Sequence, residues 1–217
     1  MKVSDLNIVQ TPFDKNQYFL EEFPKKQIYL HHTAGNGNAI QVFRDWQNND
    51  IRVGTFVAIA GNGQIVQGFS SKHWAYHLGV KTEVFQKYDL PYISLDQISI
   101  GIEICNWGYL TEKGGKFYNY VNKEVPLNEV TILDKPYKGY QAWHKYSDDQ
   151  IESTRKLLLY LGETYNIDLT YNPDIFEVTT RALKGQNGLF THNSVRKDKT
   201  DIYPCPRMIK MLQELKK

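Results

Sequence analysis

Ile98-Ser99-Ile100-Gly101-Ile102-Glu103-Ile104-Cys105 is the stretch that decides the fold class. Isoleucine recurs at every second position, the period of a β-strand, so the isoleucines share one face and Ser99, Gly101 and Glu103 the other. An ionisable Glu103 among aliphatics needs a partner or a task if the strand is buried. Working outward, Gln27–His31 reads as a second short strand, ending at His31 and His32. Thr55–Ala60 and Gln64–Gly68 flank Gly61-Asn62-Gly63, a hairpin signal because Asn-Gly tolerates the positive φ of a tight turn. Asn38 is expected to cap a helix running to about Asn49, with Ile40, Phe43 and Trp46 on one side. Ser147-Asp148-Asp149-Gln150 is a capping box that opens a helix through about Tyr165. A last helix follows Pro206, with Met208, Leu212 and Leu215 on one side. Strands and helices interleave, so the expected class is α/β, a single domain with a central mixed sheet flanked by helices.

Three stretches fall outside that pattern. Residues 1–24 show no periodicity and are expected to be an N-terminal extension to a domain spanning 25–217. Residues 107–146 are rich in Tyr, Lys and Gly and read as an insertion, with Lys113-Gly114-Gly115-Lys116 as a hairpin turn. Residues 171–190 read as loop.

Composition excludes several classes. The 217 residues carry 26 Lys+Arg against 24 Asp+Glu, a net charge of +2, without the basic excess of a nucleic-acid binder. Hydrophobic content of 41% with 13% aromatic argues against disorder. No apolar run approaches the roughly 18 residues of a membrane span. The start, Met1 to Lys15, has no apolar core of signal-peptide length, so the chain is expected to be made in the cytoplasm. Cys105 and Cys205 do not form a disulfide framework.

The histidines carry the chemistry. His31 and His32 sit where a strand meets the turn-rich Ala34–Asn38, and His192 precedes Lys199-Thr200-Asp201. A catalytic zinc takes three protein ligands plus a water, and a histidine from the strand end with a distant His/Asp pair meets that count. Parity favours His31 over His32, because His32 shares the face of Ile28 and Leu30. His32, His73 and His144 are expected to be packing or surface residues, and Cys105 a buried small hydrophobe.

Taken together, His31-His32-Thr33-Ala34-Gly35, the 55–67 hairpin, Tyr76-His77-Leu78-Gly79, Ser99-Ile100-Gly101-Ile102-Glu103 and His192…Lys199-Thr200-Asp201 resemble the type 2 zinc-dependent N-acetylmuramoyl-L-alanine amidases. That group includes bacteriophage lysozyme-like amidases, cytosolic anhydromuropeptide amidases and peptidoglycan recognition proteins. The resemblance covers about residues 25–215 without the insertion. It implies zinc held by His31, His192 and Asp201, with Glu103 as catalytic acid/base and Lys199 assisting. It also implies His77, Thr55 and Trp74 along the substrate groove. Two departures stand out. The His192–Lys199 spacing is one residue shorter than in the cytosolic branch, and Thr55 stands where many relatives place a tyrosine near the zinc. Cys205 lies four residues past Asp201 and is the weaker third ligand, because the lysine spacing points to Asp201.

The implied substrate is peptidoglycan or a muropeptide, cut at the amide joining N-acetylmuramic acid to L-alanine, and the chain is expected to act as a monomer. A phage-type endolysin reaching the wall after release is the leading expectation. The alternatives are a cytosolic amidase recycling soluble anhydromuropeptides and a non-catalytic peptidoglycan-binding module. The insertion reads either as a sugar-stacking surface or as a hairpin packed for its own stability.

Overall fold

The computed structural model describes residues 6, 8–35, 37–47 and 51–216. The first strands are β1 (Ile8–Gln10), β2 (Gln27–His32), β3 (Val57–Ile59), β4 (Ile65–Gln67) and β5 (Ser99–Ile104). Helix α1 (Ala39–Gln47) follows β2, and the short α2 (Thr82–Gln86) and α3 (Leu95–Ile98) precede β5. The chain then makes β6 (Tyr109–Lys113), β7 (Lys116–Tyr118), β8 (Glu124–Val125), β9 (Val130–Tyr137) and β10 (Tyr140–His144). It returns through α4 (Asp148–Tyr165) and α5 (Thr180–Leu183) to β11 (Gly188–Thr191), and ends in α6 (Pro206–Glu214).

Six strands build the main sheet in the order β1-β4-β3-β5-β2-β11. Strands β3, β5, β2 and β11 run parallel, while β4 turns back antiparallel to β3, so the sheet is mixed as expected. Every residue of β2, β3, β5 and β11 is buried, the mark of parallel strands covered on both faces. The hairpin turn forms with Gly63 at φ 78°. Asn38 caps α1 by accepting from the Gln41 N–H at 3.1 Å; the expected continuation to Asn49 lies outside the described residues. The Ser147 capping box is present, and α4 buries Leu157, Leu158 and Leu161 against the core. Gln150, at the start of α4, donates to the Cys105 carbonyl at 2.7 Å and so ties the helix to the end of β5.

Two expectations change. The N-terminal segment is stitched into the domain: β1 pairs with β4, Phe13 packs against Phe43 at 4.8 Å, and Phe19 stacks on Trp74 at 3.9 Å. Residues 171–190 are more than loop, for they contain a 3-10 turn (Pro173–Phe176), α5 and the edge strand β11. Gly188-Leu189-Phe190-Thr191 is buried on both faces, so it never alternates and gives no strand period to read.

Residues 107–146 fold as a second, five-stranded antiparallel sheet in the order β8-β7-β6-β10-β9. The expected turn at Gly114-Gly115 joins β6 to β7. This sheet is fastened by aromatics: Trp143 is fully buried and stacks on Tyr203 at 4.7 Å, and Tyr203 stacks on Tyr146 at 5.1 Å.

Candidate active site

Parallel strands that end on one edge bring their following loops together, and ligands bind outside that carboxyl edge. Here β2 ends at His31 and His32, β5 at Glu103 and Ile104, and β11 runs straight into His192. In the register of β2 and β5, His31 pairs with Glu103, so both side chains project from the same face. His32 projects from the other, where its Nδ1 lies 3.0 Å from the Tyr146 hydroxyl. Asp201 is brought back by Asn193, whose amide donates to the carbonyls of Asp201 and Ile202 at 2.8 and 3.0 Å.

Three atoms converge. His31 Nδ1 lies 3.1 Å from His192 Nδ1 and 3.2 Å from Asp201 Oδ2, and His192 Nδ1 lies 2.9 Å from the same oxygen. The outer contacts constrain the ring protons. His192 Nε2 lies 2.9 Å from the Leu78 carbonyl, which only accepts, so in the neutral ring Nε2 donates and Nδ1 keeps a bare lone pair. His31 Nε2 lies 3.0 Å from His77 Nδ1, and His77 Nε2 lies 2.9 Å from the Ser99 hydroxyl. When His31 donates to His77 and His77 to Ser99, His31 Nδ1 is bare as well. In that tautomer two lone pairs and a carboxylate face one point, the donor set that a cation takes. Ligands about 2.0–2.1 Å from a tetrahedral ion stand roughly 3.3 Å apart, close to the observed edges. Outer partners on the second ring nitrogens are what metal-binding histidines have. The residues present therefore fit a metal ion, and among the described residues this is the group that brings His, Cys, Asp or Glu atoms together in that way.

Burial sets the charges. It lowers the His31 pKa to about 4, helped by the neighbouring His192 and opposed by Asp201. Burial likewise keeps His77 well below the usual imidazole range. For Asp201 burial works against ionisation, yet the His192 and His31 rings hold its carboxyl well below the usual carboxylate range. Glu103 goes the other way: burial first, then the charge of Asp201, push its carboxyl well up, with Lys199 opposing. The site thus holds one carboxyl fixed as an anion and one inclined to take a proton.

The cluster lies in a cleft of about 630 Å³ that is also lined by Glu103, Lys199 and His77. His77 is placed behind His31, over Gly101. A Cβ on Gly101 would come within 2.9 Å of His77 Nδ1 and 2.7 Å of the Thr55 methyl, so only glycine leaves room for that imidazole. Thr55 and Trp74 do not line the cleft. Thr55 donates its hydroxyl to the Val57 carbonyl at 2.7 Å, and Trp74 is buried under Phe19. Both cysteines are buried free thiols, and Cys205 stands before α6 instead of in the cluster. The cleft is also lined by Trp46 of α1, which the sequence did not point to, and by Trp107 and Tyr120 of the 107–146 insertion, for which a sugar-stacking surface was one of two expectations without either residue being singled out. Trp46 looked like one more member of an apolar helical stripe. No helix among the described residues is long and apolar enough to cross a membrane.

A family model described as N-acetylmuramoyl-L-alanine amidase matches residues 22–206. No curated protein sequence is matched. Among solved structures, the chain is similar to PlyL at 16% identity and TM-score 0.56, covering 98% of each chain. It is similar to the PlyG catalytic domain at 17% identity and TM-score 0.54, covering 97% of this chain and 94% of that one. It is also similar to a mutant endolysin from Bacillus subtilis at 17% identity and TM-score 0.52, covering 96% and 94%. At such identities these structures speak for the fold, while the family match spans the strand-end histidine, the acidic strand and the closing His-Lys-Asp loop. The chain belongs to the N-acetylmuramoyl-L-alanine amidase family.

Proposed function

We propose that this protein is a zinc-dependent hydrolase that cuts the amide between N-acetylmuramic acid and L-alanine in peptidoglycan, as a phage-type endolysin does. The observation that carries the reading is the convergence of His31 Nδ1, His192 Nδ1 and Asp201 Oδ2 beside Glu103 on one strand edge.

His31, His192 and Asp201 would hold the zinc, which supplies Lewis acidity and brings the pKa of a water to about 7. Glu103 takes a proton from the attacking water and returns it to the leaving amine, a task suited to a carboxyl whose burial raises its proton affinity. The Lys199 side chain, on the same cleft, stabilises the negative charge that develops on the carbonyl oxygen. His77 keeps the His31 ring oriented through its Nδ1 and is itself held by Ser99. Substrate reaches this edge from solvent through the cleft, which Trp107 and Tyr120 of the insertion also line.

Mass spectrometry of digested sacculi tests the reading. Wild-type protein is expected to release free L-alanine amino termini. Glu103→Gln is expected to bind zinc as wild-type does and to lose at least about 10²-fold in rate. New reducing sugars without new amino termini, or an active Glu103→Gln, would overturn it. A higher kcat/KM on soluble anhydromuropeptide than on sacculi would shift the assignment to recycling, and zinc-free protein that binds sacculi would make it a binding module.

A further inference from the structure

The cleft that holds the metal-ligand candidates is also lined by Trp107, just before β6, and by Tyr120, between β7 and β8. Trp107 follows Glu103 by four residues, a reach of at most about 14 Å of extended chain, so a ring lying on it belongs to the same substrate as a bond held at Glu103.

Both aromatics are held in place. The Trp107 backbone N–H donates to His144 Nδ1 at 3.3 Å, and the flanking Asn106 side chain ties the loop to β10 through the His144 carbonyl at 2.9 Å. Tyr120 rides on the turn between β7 and β8. Asn119 organises that turn by accepting from the Val121 and Lys123 N–H groups at 3.2 and 2.9 Å. The Tyr120 ring meets Trp107 edge-on at 6.2 Å and stays 56% exposed. An exposed aromatic on a braced turn, beside an open cleft, is a surface prepared for a flat partner. The polar Gln41 and Asp45 of α1 line the same cleft. A pyranose ring matches that pairing, with an apolar C–H face to lay on an aromatic and a polar rim to hydrogen-bond. A peptide stem offers no such flat apolar face.

We infer that Trp107 and Tyr120 form a carbohydrate-stacking subsite for a sugar ring of the glycan strand next to the scissile amide. The second sheet is then the element that selects polymeric glycan. This rests on the amidase reading above.

The test is a titration of the zinc-loaded protein with peptide-free glycan strands of alternating N-acetylglucosamine and N-acetylmuramic acid, followed by tryptophan fluorescence. A parallel titration uses the free stem peptide. Saturable strand binding is expected. Tyr120→Ala and Tyr120→Leu should each raise the strand Kd about tenfold, the scale of one stacking contact, and Tyr120→Trp should retain wild-type affinity. A Tyr120→Leu that binds strands like wild-type, an absence of strand binding, or a loss confined to the stem peptide would each overturn the subsite. The two readings fail separately. Without L-alanine release but with Tyr120-dependent strand binding, the amidase assignment falls and the subsite stands. With release intact but strand binding indifferent to Tyr120, the subsite falls alone.

Discussion

The two sheets solve the same problem in opposite ways. In the main sheet β2 and β5 are buried from end to end and the functional groups sit at their carboxyl ends. In the second sheet β9 buries only Leu133 of its eight residues, and the sheet's own apolar cluster is small, centred on Leu110, Val125 and Ala142. Strands covered on both faces position side chains tightly, which a metal-ligand set requires. A half-open sheet leaves aromatics at its rim free to meet a partner. The contrast shows where precision is needed and where reach is.

The largest expected effect lies at the junction of the two. Trp143 is fully buried between the second sheet and Tyr203, so Trp143→Ala should cost about 3–5 kcal/mol in urea unfolding. Leu127, 72% exposed in the 3-10 turn between β8 and β9, should cost under about 0.5 kcal/mol when changed to Ala. Equal losses for the two would mean that the second sheet is not anchored through Trp143.

Next comes the orientation of the ligand set. His77→Phe keeps a ring over Gly101 but removes the ring nitrogen that lies 3.0 Å from His31 Nε2. Zinc affinity, measured by competition with a chelator, should fall about 10–100-fold. An unchanged affinity would show that His31 needs no outer partner.

The amino edge of the main sheet sharpens the comparison with a smaller effect. Lys25, just before β2, is buried and donates to the Gln97 carbonyl at 2.8 Å. Burial lowers its pKa from 10.5 to about 8, against the pull of Asp96 and Glu22. Between pH 8 and 10.5 the unfolded chain therefore binds more protons, so stability contributed at this site rises with pH across that window and is lowest below it. Lys25→Met should stabilise the protein at pH 7 by on the order of 1–3 kcal/mol, less whatever the lost hydrogen bond contributed. That advantage should close by about pH 10.5, where both chains are neutral at the site. Thermal midpoints of the pair across this range check it, and a gap that does not depend on pH would rule out the charge as its cause.

Much of this was legible beforehand where the cause is local. The alternation of isoleucines located β5, Asn62-Gly63 the hairpin, and Ser147 with Gln150 the start of α4. Strand parity favoured His31 over His32, and the register puts His31, and not His32, on the face of Glu103. That outcome came although β2 is covered on both sides, the condition under which parity loses its force. β11 stayed hidden because a doubly buried four-residue strand carries no period, and β1 because three residues are too few to show one. Gly101 could have been read as a place of close approach, but nothing local said that His77 is what approaches.

What the chain order determined alone was its turns, caps and strand faces, because each depends on the conformational preferences of a few neighbouring residues. Only the tertiary structure decided that His31, His192 and Asp201 meet, that Trp107 and Tyr120 line the cleft while Thr55 and Trp74 do not, and that the N-terminal segment pairs with β4. Those outcomes depend on the parallel pairing of β11 with β2 and β2 with β5, contacts between residues far apart in sequence whose register is chosen by burial of whole faces at once.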